Sequence, residues 1–276
     1  MSSLPASPAS SDLVSVIVPA YNHQAFVAEA IESVLAQQVE FELIVIDDGS
    51  TDRTPEIVDQ YRADPRVQVI HQRNAGSHAA INRGLSLARG RYVAILNSDD
   101  RFAPNRLATL VALARSRHPL PTFAVTGVRL IDGLGQVVED VAHPWLVMYR
   151  QILEVWGREQ DPLQTLLWGN FAVSTSNLFA DRVLIDTLGP MRPRRYVLDW
   201  EYALRALARC PEAFVFRPDL PLLDYRMHGN NTILRGAVRN HLEAAHLLRS
   251  AIAAAWGPKL ARPLRRIALL ERFLRR

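Results

Sequence analysis

Between residues 13 and 132, apolar runs of strand length alternate with stretches of helical spacing, and this alternation limits the fold more than any other feature of the chain. LVSVIVPA (13–20), FELIVIDD (41–48), RVQVIHQ (66–72), RYVAILN (91–97) and TFAVTGVRLID (122–132) read as strands. Between the first two, Phe26, Val27, Ala30, Ile31, Val34 and Leu35 share one helical face. Further helices are predicted over Thr51–Tyr61, with a Ser50/Thr51 start signal and Pro55 in its first turn, over Ala79–Ala88 and over Pro104–Arg115. Strands that alternate with helices predict an α/β fold, a doubly wound and mostly parallel sheet with helices on both faces.

The second half is less regular. Residues 140–170 hold three of the five tryptophans, Trp145, Trp156 and Trp168, and read as helices or a lid-like insertion, with core packing expected for at least two of the three. NLFA (177–180) reads as a short strand, Val197–Arg209 as a helix, and residues 213–227 as two short strands around Pro218 and Pro221. Helices are predicted over 237–256 and 259–275. The expected division is a tail (1–11), a domain over 12–235 with halves 12–130 and 131–235, and a helical C-terminal extension (236–276).

Composition sets outer limits. With 49% hydrophobic residues there is ample material for a core. The single cysteine, Cys210, excludes an internal disulfide and a cysteine-rich metal site, and fits a reducing, cytoplasmic setting. MSSLPASPASSD has no apolar centre and does not read as a signal peptide, and no apolar run reaches the ~18 residues of a spanning helix. Net charge is +4, yet residues 257–276 alone carry +6, so the remainder carries −2. A nucleic-acid binder needs a basic face on its folded body, and this body has none to spare.

Three of the strands end in polar residues: Pro19-Ala-Tyr-Asn22, Asp47-Asp-Gly-Ser50 and Asn97-Ser-Asp-Asp100. In a parallel sheet such ends converge on one edge, where ligands bind. Four carboxylates there suit a divalent cation and the hydroxyls of a sugar or ribose; as hard oxygen ligands they favour Mg²⁺ or Mn²⁺, which in turn would hold a diphosphate. A lone Asp-Asp pair is more often a solvated loop, but two pairs, each after a strand, point to a site. Neither GxGxxG nor GxxxxGK[ST] is present, so phosphate is not met by a glycine-rich loop.

VSVIVPAYN (14–22), AIESVLAQ (30–37), ELIVIDDGSTDRT (42–54), the run from Gln72 to Asp100 and FAPNRL (102–107) together resemble the family 2 glycosyltransferases of the GT-A fold. The resemblance implies inverting transfer of a sugar from a nucleotide diphosphate sugar (UDP-, dTDP- or GDP-linked) to the hydroxyl of a glycan or lipid-linked glycan, as in cell-surface polysaccharide biosynthesis. By position it implies nucleotide-sugar contacts from Pro19, Tyr21, Asn22, Asp48, Asn74, Gly76, Asn82, Asn97, Asp99 and Arg226, and a divalent cation, Mn²⁺ or Mg²⁺, on Asp99, Asp100 and His228. Where many members read Asp-x-Asp-Asp, this chain reads Asn97-Ser98-Asp99-Asp100, which leaves open which of the two acids is the ligand. VLDWEYALRA (197–206) resembles the family segment that supplies the general base, here Asp199; a helix start lowers its basicity, so either a dry site or a neighbouring acid, with Glu201 the candidate, must restore it. YRMHGNNT (225–232) resembles the family's late Tyr-Arg-x-His loop, and Ser174–Asn177 read either as acceptor contacts or as a polar turn.

Two alternatives stay beside this reading: a non-catalytic sugar-nucleotide-binding module, motivated by Asn97 and Leu198 in place of acids, and a nucleotidyltransferase. The tail offers its own choice. Leu260, Leu264, Ile267, Leu270 and Leu274 form an apolar stripe beside six arginines in 259–276, which suits peripheral contact with an anionic membrane at the inner face of the plasma membrane, or packing on the domain.

Overall fold

The computed structural model describes residues 12–229, 231 and 242–249. The first half follows the predicted alternation: β1 (Val14–Ala20), α1 (Val27–Leu35), β2 (Phe41–Asp47), α2 (Thr54–Asp59), β3 (Val67–His71), α3 (Ser77–Leu87) and β4 (Tyr92–Ile95). Then come β5 (Arg101–Phe102), α4 (Arg106–Arg117), β6 (Phe123–Ile131), α5 (Pro144–Glu159), α6 (Pro162–Trp168), β7 (Phe179–Asp181), α7 (Arg182–Leu188), α8 (Leu198–Arg209) and β8 (Phe214–Arg226). The tail, 230, 232–241 and 250–276 lie outside the described residues, and with them the 259–276 stripe and most of the predicted extension. Of the helix predicted over 237–256, residues 242–249 are described and helical.

Among the described residues all eight strands join one sheet, in the order β3-β2-β1-β4-β7-β6-β8-β5. From β3 to β4 every neighbour is parallel. The sheet is mixed beyond that point, because the short β7 runs antiparallel to both β4 and β6, while β6 and β8 pair in parallel. The order reverses at β1, with β2 on one side and β4 on the other, and an α/β sheet opens its ligand crevice at such a switch. β1 and β4 therefore carry Pro19–His23 and Asn97–Asp100 to the same crevice.

The apolar runs are buried throughout, as strands covered on both faces must be. Alternate side chains serve opposite layers: Val14, Val16 and Val18 face α1 and α4, whereas Ile17 faces α3 with Ile81 and Leu85. The α3–β1 approach needs Gly84, where an added Cβ would sit 2.4 Å from Ile17 Cγ2. Trp145 stacks on Tyr149 and Tyr225 in one layer, and Trp156 meets Phe216 edge-on in the other; Trp168 alone of these three is exposed, at 63%.

Two features of the second half depart from the sequence reading. Residues 214–226 form one strand, not two, because the register against β6 shifts twice around Gly127 and so absorbs the two prolines. An added Cβ on Gly127 would lie 2.4 Å from Pro218 O, so the bulge needs that glycine. The helix α7 was not expected. Among the described residues no helix is long and apolar enough to cross a membrane.

Candidate active site

At the crevice lies a cleft of about 1010 Å³. Of the expected residues, Pro19, Tyr21, Asn22, Asp48, Asn74, Gly76, Asn97, Asp99 and Asp199 line it; Asn82, Asp100, Arg226 and His228 do not.

The loop after β2 is built around its two acids. Asp47 accepts from Ser50 N (3.2 Å) and pairs with His71 Nδ1 (3.0 Å) at the end of β3. Asp48 accepts from Gln72 Nε2 (2.7 Å), Ala75 N (2.9 Å) and Gly76 N (2.8 Å), which folds the β3–α3 loop beneath it. Gly49 permits this approach: its φ is +73°, and a Cβ there would lie 2.7 Å from Asn74 N. Asn22, at φ 52°, accepts from Thr51 N (2.8 Å) and so ties the β1 loop to the β2 loop.

The loop after β4 divides its acids differently. Asp100 is buried, and its oxygens are taken up by Ser174 Oγ (3.2 Å), Ser176 Oγ (2.5 Å) and Arg226 N (2.9 Å). Burial, followed by the charge of Asp99, pushes its carboxyl well above the usual carboxylate range. Asp99 meets two imidazoles: His228 Nε2 at 3.2 Å and His23 Nε2 at 3.9 Å from Oδ2. Burial pushes this carboxyl up, but the His228 hydrogen bond and the two imidazoles outweigh it and hold it low. One ligand atom from each of His23, Asp99 and His228 lies within 4.8 Å of the others. With its proton on Nδ1, His23 donates to Ser98 Oγ (2.8 Å) and offers Nε2, the arrangement that orients a metal-binding histidine. The donor set therefore fits a divalent cation. Asp100, expected in this set, is outside it, and His23, not expected, is inside.

Ser174–Asn177 support the second loop. Asn97 donates through Nδ2 to Ser174 Oγ (2.9 Å) and accepts from Thr175 Oγ1 (2.8 Å). Beneath this turn the buried Arg106 donates to Thr126 Oγ1 (2.9 Å), Ser176 O (3.3 Å) and Asn177 Oδ1 (3.3 Å), with burial pulling its guanidinium down to about 9. Two expected nucleotide contacts have structural partners instead. Asn82 exchanges two 2.8 Å hydrogen bonds with the Met191 backbone. Arg226, 1% exposed, donates to Asp99 O (2.8 Å), Asp132 O (3.1 Å) and Glu29, and lies 5.0 Å over the Phe26 ring.

Across the cleft, Asp199 sits in the first turn of α8 and accepts from Asn170 Nδ2 at 2.6 Å. Burial raises its pKa, and the Asn170 hydrogen bond and the α8 backbone N–H groups only partly offset this. Glu201 is not its partner; it is held by Arg205 (2.8 Å) and Arg192 (3.2 Å). Basicity at Asp199 therefore comes from a dry position and not from a neighbouring acid.

A mixed α/β sheet with helices on both faces and a ligand crevice at its switch point is the architecture of the GT-A class of fold. Solved structures agree: S. aureus TarS 1–349 in complex with UDP-GlcNAc superposes with TM-score 0.66 at 18% identity over 94% of this chain and 72% of that one. The mannosyltransferase PcManGT of Pyrobaculum calidifontis, in complex with GDP-Man and Mn²⁺, gives 0.65 at 19% over 95% and 69%. Residues 15–135 match the family model described as Glycosyl transferase family 2. Glycosyltransferase GlyG of Streptococcus pneumoniae is 45% identical over 103 residues, 36% of this chain and 34% of its own length. The putative teichuronic acid biosynthesis glycosyltransferase TuaG of Bacillus subtilis is 37% identical over 134 residues, 48% of this chain and 52% of its own. The chain spans between 18% and 52% of the length of the curated relatives it matches.

Proposed function

We propose that the protein transfers a sugar, with inversion, from a nucleotide diphosphate sugar to an acceptor hydroxyl. The observation that supports this most is one cleft holding an Asp99 kept ionised beside two imidazoles and an Asp199 whose burial raises its basicity. In this reading Asp199 takes the acceptor's proton as the hydroxyl oxygen attacks the anomeric carbon, and the bond to the diphosphate breaks on the opposite face of the sugar. A raised pKa suits that task, since a carboxylate of ordinary basicity is a weak acceptor for a hydroxyl proton. A divalent cation on Asp99, His228 and His23 would supply positive charge to the leaving diphosphate. The loops after β1, β2 and β3 hold the nucleotide side, with Asp48 placed by Ala75 N and Gly76 N.

The bound UDP-GlcNAc and GDP-Man of the structural neighbours support a UDP- or GDP-sugar donor, and the name of TuaG supports a cell-surface polysaccharide as acceptor. The test is release of nucleoside diphosphate from UDP-, dTDP- and GDP-sugars in Mn²⁺, with water or a glycan as acceptor. Release from one donor class, lost in Asp99→Ala, is expected. Binding of a nucleotide sugar with no turnover would make the chain a binding module.

A further inference from the structure

The loop between α7 and α8 presents three arginines, Arg192, Arg194 and Arg195, and they have different surroundings. Arg192 pairs with Glu201 at 3.2 Å and does not line the cleft. Arg195 also lines the cleft, but it is exposed, with its guanidinium 5.7 Å over the Tyr196 ring. Arg194 lines the cleft, has no carboxylate partner among the described residues, and keeps a solvent-shielded Nε with no hydrogen-bond partner. A shielded guanidinium N–H left without an acceptor carries a desolvation cost that an incoming anion would remove.

The loop itself is held firmly. Asn82 grips both backbone atoms of Met191, Tyr202 Oη donates to Gly189 O (3.2 Å), and Arg205 donates to Leu188 O and Pro190 O (2.9 Å each). From the helix over 242–249, Glu243 accepts from Arg195 N (3.2 Å) and Tyr196 N (2.9 Å). A cation on a loop fixed at both ends loses little freedom when an anion arrives.

The charge of the cleft says what it would meet. A divalent cation held by Asp99 would leave part of the charge of a departing diphosphate unmet, and a guanidinium in the same cleft would stabilise it further. Arg226, which the sequence suggested for this work, is committed to Glu29 and two carbonyls. We propose that Arg194 is the anion-binding arm of the cleft and receives the diphosphate of the donor. This rests on the nucleotide-sugar reading of the cleft. The same guanidinium chemistry would suit a phosphate on the acceptor, and the test separates the two.

Calorimetry in Mn²⁺ would compare UDP, dTDP and GDP with uridine, thymidine and guanosine. For the diphosphate that the wild type binds, Arg194→Ala should weaken affinity by about tenfold or more, as loss of a charge-assisted hydrogen bond implies, and leave the nucleoside unchanged. Arg194→Lys should recover part of the loss, and Arg192→Ala should match the wild type. A wild type that binds none of the diphosphates overturns the nucleotide-sugar reading and this inference with it. Equal diphosphate affinity in wild type and Arg194→Ala overturns this inference alone; if transfer still falls in that variant, the arginine serves the acceptor. A melting temperature close to wild type in Arg194→Ala would rule out misfolding as the cause of a loss.

Discussion

The two walls of the cleft treat the same functional group in opposite ways. On the wall made by β1, β2 and β4, the two carboxylates that line the cleft are surrounded by donors, backbone and side-chain N–H groups at Asp48 and imidazoles at Asp99, while Asp100, with its raised pKa, is turned out of it. On the α8 wall Asp199 is buried with one amide and its helix's first N–H groups, and it leans towards keeping a proton. Burial penalises the charged form of Asp99 and of Asp199 alike; the neighbours set the difference, because two imidazoles outweigh that penalty at Asp99 while one amide and the helix N–H groups do not at Asp199. One wall is thereby suited to hold charge and the other to accept a proton.

Substitutions that separate the walls test the comparison most directly. Asp199→Asn keeps shape and the helix start but cannot accept a proton, so transfer should fall by about 10²–10⁴-fold with nucleotide affinity unchanged. Steady-state rates beside calorimetry measure both, and retained transfer would remove Asp199 from the mechanism. Asp99→Ala should do the reverse at the binding step, weakening a nucleoside diphosphate in Mn²⁺ by at least tenfold, about 1.4 kcal/mol.

A finer test moves the α8 wall without removing its acid. Asn170 donates to Asp199 and favours the ionised form, so Asn170→Ala should raise the Asp199 pKa further. The acid limb of the transfer rate should shift to higher pH, which a pH–rate profile reads. The linkage has a stability counterpart. Because the folded-state pKa is raised, the stabilising contribution of protonated Asp199 is present below the ordinary aspartate value and lost as pH rises through the raised one. At neutral pH, Asp199→Asn should therefore melt no lower than wild type.

The smallest effect belongs to the other wall. His71 joins Asp47 to Asp59 of α2, and its pKa is raised chiefly by the Asp47 hydrogen bond. Its contribution is full below the ordinary histidine value of 6.5 and lost as pH rises through the raised one. With its side chain 36% exposed, the effect should stay within about 1 kcal/mol. Urea titrations at pH 6 and pH 9 should show it in wild type and not in His71→Phe.

The first wall was largely legible because its strands are continuous apolar runs that end abruptly in polar loops, a pattern that local sequence carries. What was not legible depended on distant partners. His23 looks like any polar loop residue; only the β1–β4 pairing brings it to Asp99, 76 positions later. Arg226 and Asn82 are the residue types that bind ligands, but Glu29 and the Met191 backbone claim them first. Asp100 and Asp99 are neighbours in sequence with different surroundings, and nothing local distinguishes a carboxylate facing serines from one facing imidazoles. In β8, Pro218 and Pro221 signal a break that the shifted register with Gly127 avoids.

The grip on the α7–α8 loop has a consequence for how such a cleft can diversify. Asn82 and Glu243 hold only main-chain atoms of residues 191, 195 and 196. The frame of the loop is thus written at positions remote from it, and the side chain at 194 is not part of that frame. A different residue could be grafted at this one position, changing which charge the cleft greets, without asking the loop to refold.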